Sequence, residues 1–269
     1  MEPIIQEIGY AAATFMGLAL GLLGGGGSIL TVPILVYSFG IPASLATSYS
    51  LFIVGVTSLL ASIRYFKEKL IDIKIALLFS FPSIIGVFLA RQFLLPSLPD
   101  QLNLIVIQIS KDSFILISFA LLISIISIFM FKSTDNEAEI GLENRENNKL
   151  CYKTIIIEGL LVGGLTGFVG AGGGFMIVPA LTLFAKIPLR SAIATSLLII
   201  SAKSLSGFAF DLNLDYAIDW KFLLSFLSFT LFGTLIGASL NKRLKVSVLR
   251  KAFALLVFII GIGILIKEI

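Results

Sequence analysis

The chain has 269 residues, 57% of them hydrophobic and 13% charged, with a mean hydropathy of +1.04 and a formal charge of +4. Soluble domains carry about 25% charge, and apolar runs near 20 residues recur here, so the chain reads as an all-α polytopic membrane protein. The runs are continuous rather than alternating, which excludes a β-barrel. There is no histidine and a single cysteine, Cys151. That excludes an intrachain disulfide, argues against a zinc, haem or iron–sulfur site, and removes Cys–His and Ser–His–Asp catalysis. The expectation is no metal, no cofactor and no enzyme. The modest basic balance fits cytoplasmic loops better than nucleic-acid binding.

Glu2 and Glu7 stand where a secretion signal would be positive, so a retained first membrane helix is expected over 4–23. No charge occurs from Ile8 to Ile63. Gly24-Gly25-Gly26-Gly27-Ser28-Ile29-Leu30-Thr31-Val32-Pro33 interrupts that run, and four glycines and a proline are poor material for a continuous helix. Inside a membrane such a break is tolerated only where protein buries it or it lines a wet cavity. A short apolar piece ends at Gly40-Ile41-Pro42, and helices follow over 43–65, 75–95 and 114–131. The apolar stretch 102–109 is expected to lie at the membrane interface. Residues 132–153 are hydrophilic and read as a solvated linker holding Cys151. Beyond it, 155–169 leads to a second break, Gly170-Ala171-Gly172-Gly173-Gly174-Phe175-Met176-Ile177-Val178-Pro179. A piece over 177–185 ends at Lys186-Ile187-Pro188, and helices follow over 191–210, 220–240 and 249–266.

The second half replays the first. At an offset of 146, Gly17, Gly21, Gly24, Gly26, Gly27, Pro33 and Pro42 meet Gly163, Gly167, Gly170, Gly172, Gly173, Pro179 and Pro188. Ala46-Thr47-Ser48 meets Ala194-Thr195-Ser196, and at 147 Asp72 meets Asp219 and Gly86 meets Gly233. The division expected is a first repeat over 1–131, a cytoplasmic linker over 132–152 and a second repeat over 153–269.

Loop charge orients the repeats. Segments 64–74, 132–153 and 242–251 carry four, four and five Lys/Arg, against two in 91–111 and one in 211–221. The rich loops belong in the cytoplasm. Residues 153–185 then start and finish on one side, so they must double back at the glycine break. A single straight helix of that length would far exceed a ~30 Å hydrocarbon core. The fold expected is two inverted repeats, each a glycine-broken helical hairpin plus three transmembrane helices.

Matched breaks are the best sequence pointer to a transporter's binding site. Glycine turns leading into a helix present free N–H groups and the positive end of a dipole, an anion's environment. The competing explanation is that the glycines only let helices cross closely. The candidate substrate-binding residues are Gly25, Gly26, Gly27, Ser28, Thr31, Thr47, Ser48, Gly172, Gly173, Gly174, Thr195, Ser196 and Lys203. Lys203 is the one charge deep in an expected span. At the bilayer centre it costs about 2.5–3.5 kcal/mol, so it should face the bundle interior as a counter-charge, unless it snorkels. Arg64, Arg91 and Lys221 sit at span ends and read as solvated anchors; Glu158 reads as interfacial.

On the paired glycine-to-Val-Pro motifs at 24–33 and 170–179 and the Ala-Thr-Ser triplets at 46–48 and 194–196, the chain resembles the TauE/SafE family over nearly its whole length. The resemblance implies a cytoplasmic-membrane permease exporting sulfite or another small sulfur-containing anion. The leading expectation is a multi-pass secondary transporter working by alternating access. An anion channel is the alternative, and a polytopic membrane enzyme a weaker one. Its partners would be a small anionic substrate and the lipid bilayer, with no nucleic acid; a homo-oligomer is compatible with the sequence.

Overall fold

The computed structural model describes residues 3–23, 26–99, 101–104, 107–133, 152–213, 217–240 and 246–268. Gly24, Gly25, most of the linker and Cys151 lie outside them. Among the described residues the fold is carried by helices α1 (Pro3–Leu23), α2 (Thr31–Phe39), α3 (Ala43–Lys67), α4 (Ile73–Leu89), α5 (Lys111–Ser133), α6 (Tyr152–Val169), α7 (Gly174–Leu183), α8 (Leu189–Asp211), α9 (Trp220–Leu240) and α10 (Val246–Glu268). Five continuous segments of the described chain are long and apolar enough to cross a membrane: Ala43–Lys67, Ile73–Ser97, Lys111–Ile128, Leu189–Asp211 and Trp220–Leu240. The protein is a multi-pass, all-α membrane protein. Its departure among the described residues is a loop excursion, an antiparallel hairpin of β1 (Gln101–Leu104) and β2 (Ile107–Ser110). This is the apolar stretch expected at the interface; Ile107 and Ile109 favour strand, and Gln101 pairs with Ser110.

The chain doubles back at the first break. Gly9 of α1 lies against Phe39 and Ser38 at the end of α2, and Gly27 lies against Met16 and Leu20. Each hairpin's second helix ends alike. Gly40 and Lys186, at equivalent positions, both take left-handed φ values of 65° and 50°. Ile41 N then donates to Leu35 O at 3.2 Å, and Ile187 N to Leu181 O at 3.4 Å. Pro42 and Pro188, with fixed φ, begin α3 and α8. Asp72 caps α4 through Ile75 N, and Asp219 caps α9 through Phe222 N, each at 3.0 Å.

Helices from the two ends of the chain pair with each other. Gly17 and Gly21 of α1 pack on the backbone of Thr230 and Thr234 of α9, while Gly233 packs on Thr14. Gly163 and Gly167 of α6 pack on Ser83 and Val87 of α4, while Gly86 packs on Leu160. The offsets of 146 and 147 convert each of these contacts into its counterpart. Both helix pairs run parallel, and without Cβ atoms their backbones touch, which is how membrane helices gain packing where burial from water contributes nothing. At the centre α3 and α8 cross antiparallel, Gly55 against Leu205 and Gly207 against Leu51. Large apolar side chains such as Leu77, Phe81, Phe232 and Leu235 point away from the bundle, the surface a lipid environment covers.

Candidate functional site

The second break is built from glycines used as left-handed residues. Gly170, Gly172 and Gly173 have φ of 74°, 65° and 74°, a region costly for residues with a Cβ. The turn lies on α3, far away along the chain. Gly170 abuts the Thr47 backbone and its carbonyl accepts from Ser50 Oγ at 2.6 Å. Gly172 abuts Val54 and Ser28. Gly173 caps α7, and its amide donates to Ala171 O at 2.7 Å. The amides of Gly174 and Phe175 fall in the first turn of α7, where helix geometry provides no acceptor.

The first break is made differently. Gly26–Leu30 forms a 3₁₀ turn that continues into α2. A Cβ on Gly27 would strike Leu20 N and sit 2.5 Å from Met16 O, so this glycine closes the hairpin. Thr31 Oγ1 donates to Ser28 O at 3.0 Å and meets Met16 Sδ at 3.1 Å. Ser28, fully buried, donates from Oγ to Ala171 O at 2.7 Å, so the two breaks touch. Gly25 lies outside the described residues.

Lys203, midway along α8 and 1% exposed, donates from Nζ to Thr166 Oγ1. A Cβ on Gly173 would be 2.9 Å from that Nζ. The ammonium therefore stands at the N-terminus of α7. Thr166 donates onward to Val162 O at 2.6 Å, so its hydroxyl hydrogen is committed and its lone pair accepts from the lysine. Among the described residues no carboxylate comes within ion-pair distance of Lys203.

The two Thr-Ser pairs separate. Thr47 lies beside Gly170, and Ser48 beside Asp211. Thr195 Oγ1 accepts from Asp72 N at 3.0 Å, and Ser196 Oγ donates to Ile193 O at 2.8 Å. Because Ser48 pairs with Asp211, sixteen residues along α8 from Thr195, about 24 Å separates the two ends. The antiparallel crossing of α3 and α8 causes this.

Sequence reasoning missed a buried ion pair. Arg91, expected as a solvated anchor, is 0% exposed and meets Asp211 Oδ2 at 3.1 Å from Nη1. The same nitrogen donates to Thr47 Oγ1 at 3.1 Å and lies 3.5 Å from Ser48 Oγ, whose hydroxyl donates to Asp211 Oδ2. Arg91 sits in a π-helical turn, Ala90–Leu94, following α4. Such turns re-aim side chains and recur at functional sites. The available signal was an arginine four residues inside an apolar run, the same kind of signal that marked Lys203. Nothing in the spacing of Asp211 joined it to Arg91, and Thr166 and Ser50 carried no signal beyond being polar.

A profile of the Sulfite exporter TauE/SafE family matches residues 10–264. A probable membrane transporter protein of Xylella fastidiosa is 29% identical over 98% of this chain and 96% of its own. One from Bacillus subtilis is 26% identical over 96% and 95%, and one from Methanocaldococcus jannaschii 27% identical over 76% and 70%. No solved structure matches. With a helical bundle interrupted by paired glycine breaks and a profile spanning nearly the whole chain, the protein belongs to the Sulfite exporter TauE/SafE family and is a multi-pass membrane transporter.

Proposed function

We propose that this transporter is a secondary carrier of a small oxyanion, sulfite or a related sulfur-containing anion or organosulfonate, held at the second glycine break. Lys203 supplies the charge, the α7 amides of Gly174 and Phe175 supply donors, and Ser28 fixes the break from the other half. The observation that carries the reading is the buried ammonium of Lys203 at the α7 N-terminus with no carboxylate beside it among the described residues. An uncompensated buried cation costs several kcal/mol, and an arriving anion offsets that cost. Preferring a sulfur oxyanion rests on the family description and on donor groups that suit several oxygens.

The residues 1–131 and 153–269 act in this reading as inverted repeats, and the bodies that rock about the central α3/α8 crossing are the pairs the halves form together, α1 with α9 and α4 with α6. Supporting it, α1 packs parallel to α9 and α4 parallel to α6. Loop charge assigns outside starts to the first pair and cytoplasmic starts to the second. The family and relatives favour carriage over an enzymatic role.

The test is counterflow in proteoliposomes with sulfite, sulfate, thiosulfate, sulfoacetate and acetate. Saturable counterflow of a sulfur oxyanion is expected, lowered more than tenfold by Lys203→Met with unchanged extraction yield. Non-saturable flux would mean a channel, and undiminished counterflow in Lys203→Met would remove Lys203 from the site.

A further inference from the structure

We infer that Arg91 and Ser48 form a second oxyanion site, which the carboxylate of Asp211 fills in the state shown and which the transported anion takes over by displacing it. The inference rests on the anion-carrier reading above. Arg91 and Asp211 are 0% and 1% exposed, and they tie the turn after α4 to the last residue of α8. Thr47 Oγ1 donates to Ser44 O at 2.7 Å, so toward Arg91 it is purely an acceptor and fixes the guanidinium. Ser48 is the hydroxyl that donates to the anion now present, Asp211 Oδ2. A guanidinium and a hydroxyl converging on one anionic oxygen is the donor set an oxyanion requires.

Two further observations favour exchange over a fixed staple. Asp211 Oδ1 is buried and receives no hydrogen bond among the described residues, so the carboxylate is held through one oxygen only and its other oxygen carries an unmet desolvation cost that weakens its hold. Buried ion pairs are also weak stabilisers, and the repeat shows that this junction does not need one. At the equivalent position at the other end of α3/α8, Arg64 Nη1 simply donates to Ala238 O at 3.0 Å. Its carboxylate partner, Glu68, lies on the following turn at 3.5 Å, partly exposed and shared with Arg190 at 3.3 Å. The site also adjoins the second break, since Thr47 rests on Gly170 and Ser50 holds the Gly170 carbonyl. Asp211 lies eight residues along α8 from Lys203, about 12 Å at helical rise.

Sulfite binding to the purified full-length protein tests this. Asp211→Asn should bind sulfite at least tenfold more tightly than the parent, and Arg91→Met/Asp211→Asn should lose that gain. Equal affinity in Asp211→Asn and the parent, or a gain that survives loss of Arg91, overturns the inference. Trp220 gives a readout that leaves Asp211 in place. It is the single tryptophan and packs edge-on to Phe208, one turn before Asp211, at 6.0 Å. In Lys203→Met, sulfite should still change Trp220 emission, and adding Arg91→Met should abolish the change. An emission indifferent to sulfite in Lys203→Met overturns the second site even if Asp211→Asn does not fold. Parent counterflow separates the two readings: if it is present while these tests fail, only the second site falls; if it is absent, the carrier reading falls first.

Discussion

The turn at Gly26–Leu30 and the turn at 170–173 occupy equivalent places in the repeat, yet the backbone uses glycine for opposite purposes in them. At the first, Gly26 and Gly27 continue a helical path, and the missing side chain on Gly27 lets the hairpin close on Met16 and Leu20. At the second, three glycines turn left-handed and leave α7 starting against a lysine. Among the described residues, the first break uses Gly27 for close packing, and the second brings the first-turn amides of α7 beside Lys203. The comparison teaches that glycine count locates a break, whereas φ decides whether its amides point outward or continue a helix.

The largest effect should come from filling the first break. Gly27→Leu places a side chain where backbone atoms of Leu20 and Met16 already stand. Overpacking of this kind costs at least about 1–3 kcal/mol, and loss of extractable, monodisperse protein is expected. A variant that extracts and melts like the parent would end the packing account. Gly173→Ala should come next. A left-handed alanine costs roughly 1–2 kcal/mol, and its methyl displaces Thr166 and Lys203. Counterflow should fall more than tenfold with the extraction yield retained; full activity would show that this turn does not hold the anion.

Ser28→Ala probes the contact between the breaks. It strips the buried Ala171 carbonyl of its hydroxyl donor, a loss of about 1–3 kcal/mol, read as a melting temperature a few degrees lower with partial transport. An unchanged melting curve would show that the breaks are held together by other contacts. The smallest effect belongs to Gly26→Ala. Its Cβ would stand 3.4 Å from Leu23 Cβ and Phe253 Cε1, at contact distance, so stability should move by only about 0.5 kcal/mol and transport should persist. Inactivation without destabilisation would give the first break a binding role after all.

Most of the architecture was legible because it follows from local rules. Hydrocarbon forces backbone groups to pair within helices, so apolar runs became α3, α4, α5, α8 and α9. Gly-Ile-Pro and Lys-Ile-Pro ended the hairpins; Asp72 and Asp219 were legible as a repeated pair, and the structure adds that both are helix caps. Residues 134–151, which include most of the linker and Cys151, fall outside the described residues, so the structure adds nothing to their reading. Lys203 was legible as a buried charge because it lies in the middle of the apolar span that opens at Ser191, too deep to reach water. Arg91 was misread because four residues from a run's end leaves snorkelling open, and only the π-turn and the approach of α8 close it.

Sequence alone determined that the chain is a membrane bundle, where its helices break, and that its halves share a pattern, since each depends on residues near one another along the chain. Tertiary structure decided which glycines turn left-handed, which end of α8 meets Thr47 and Ser48, and that Arg91 finds its counter-charge on Asp211, 120 residues away. Those outcomes depend on how α3 and α8 cross, and a crossing is set by side chains from two distant segments fitting together at once.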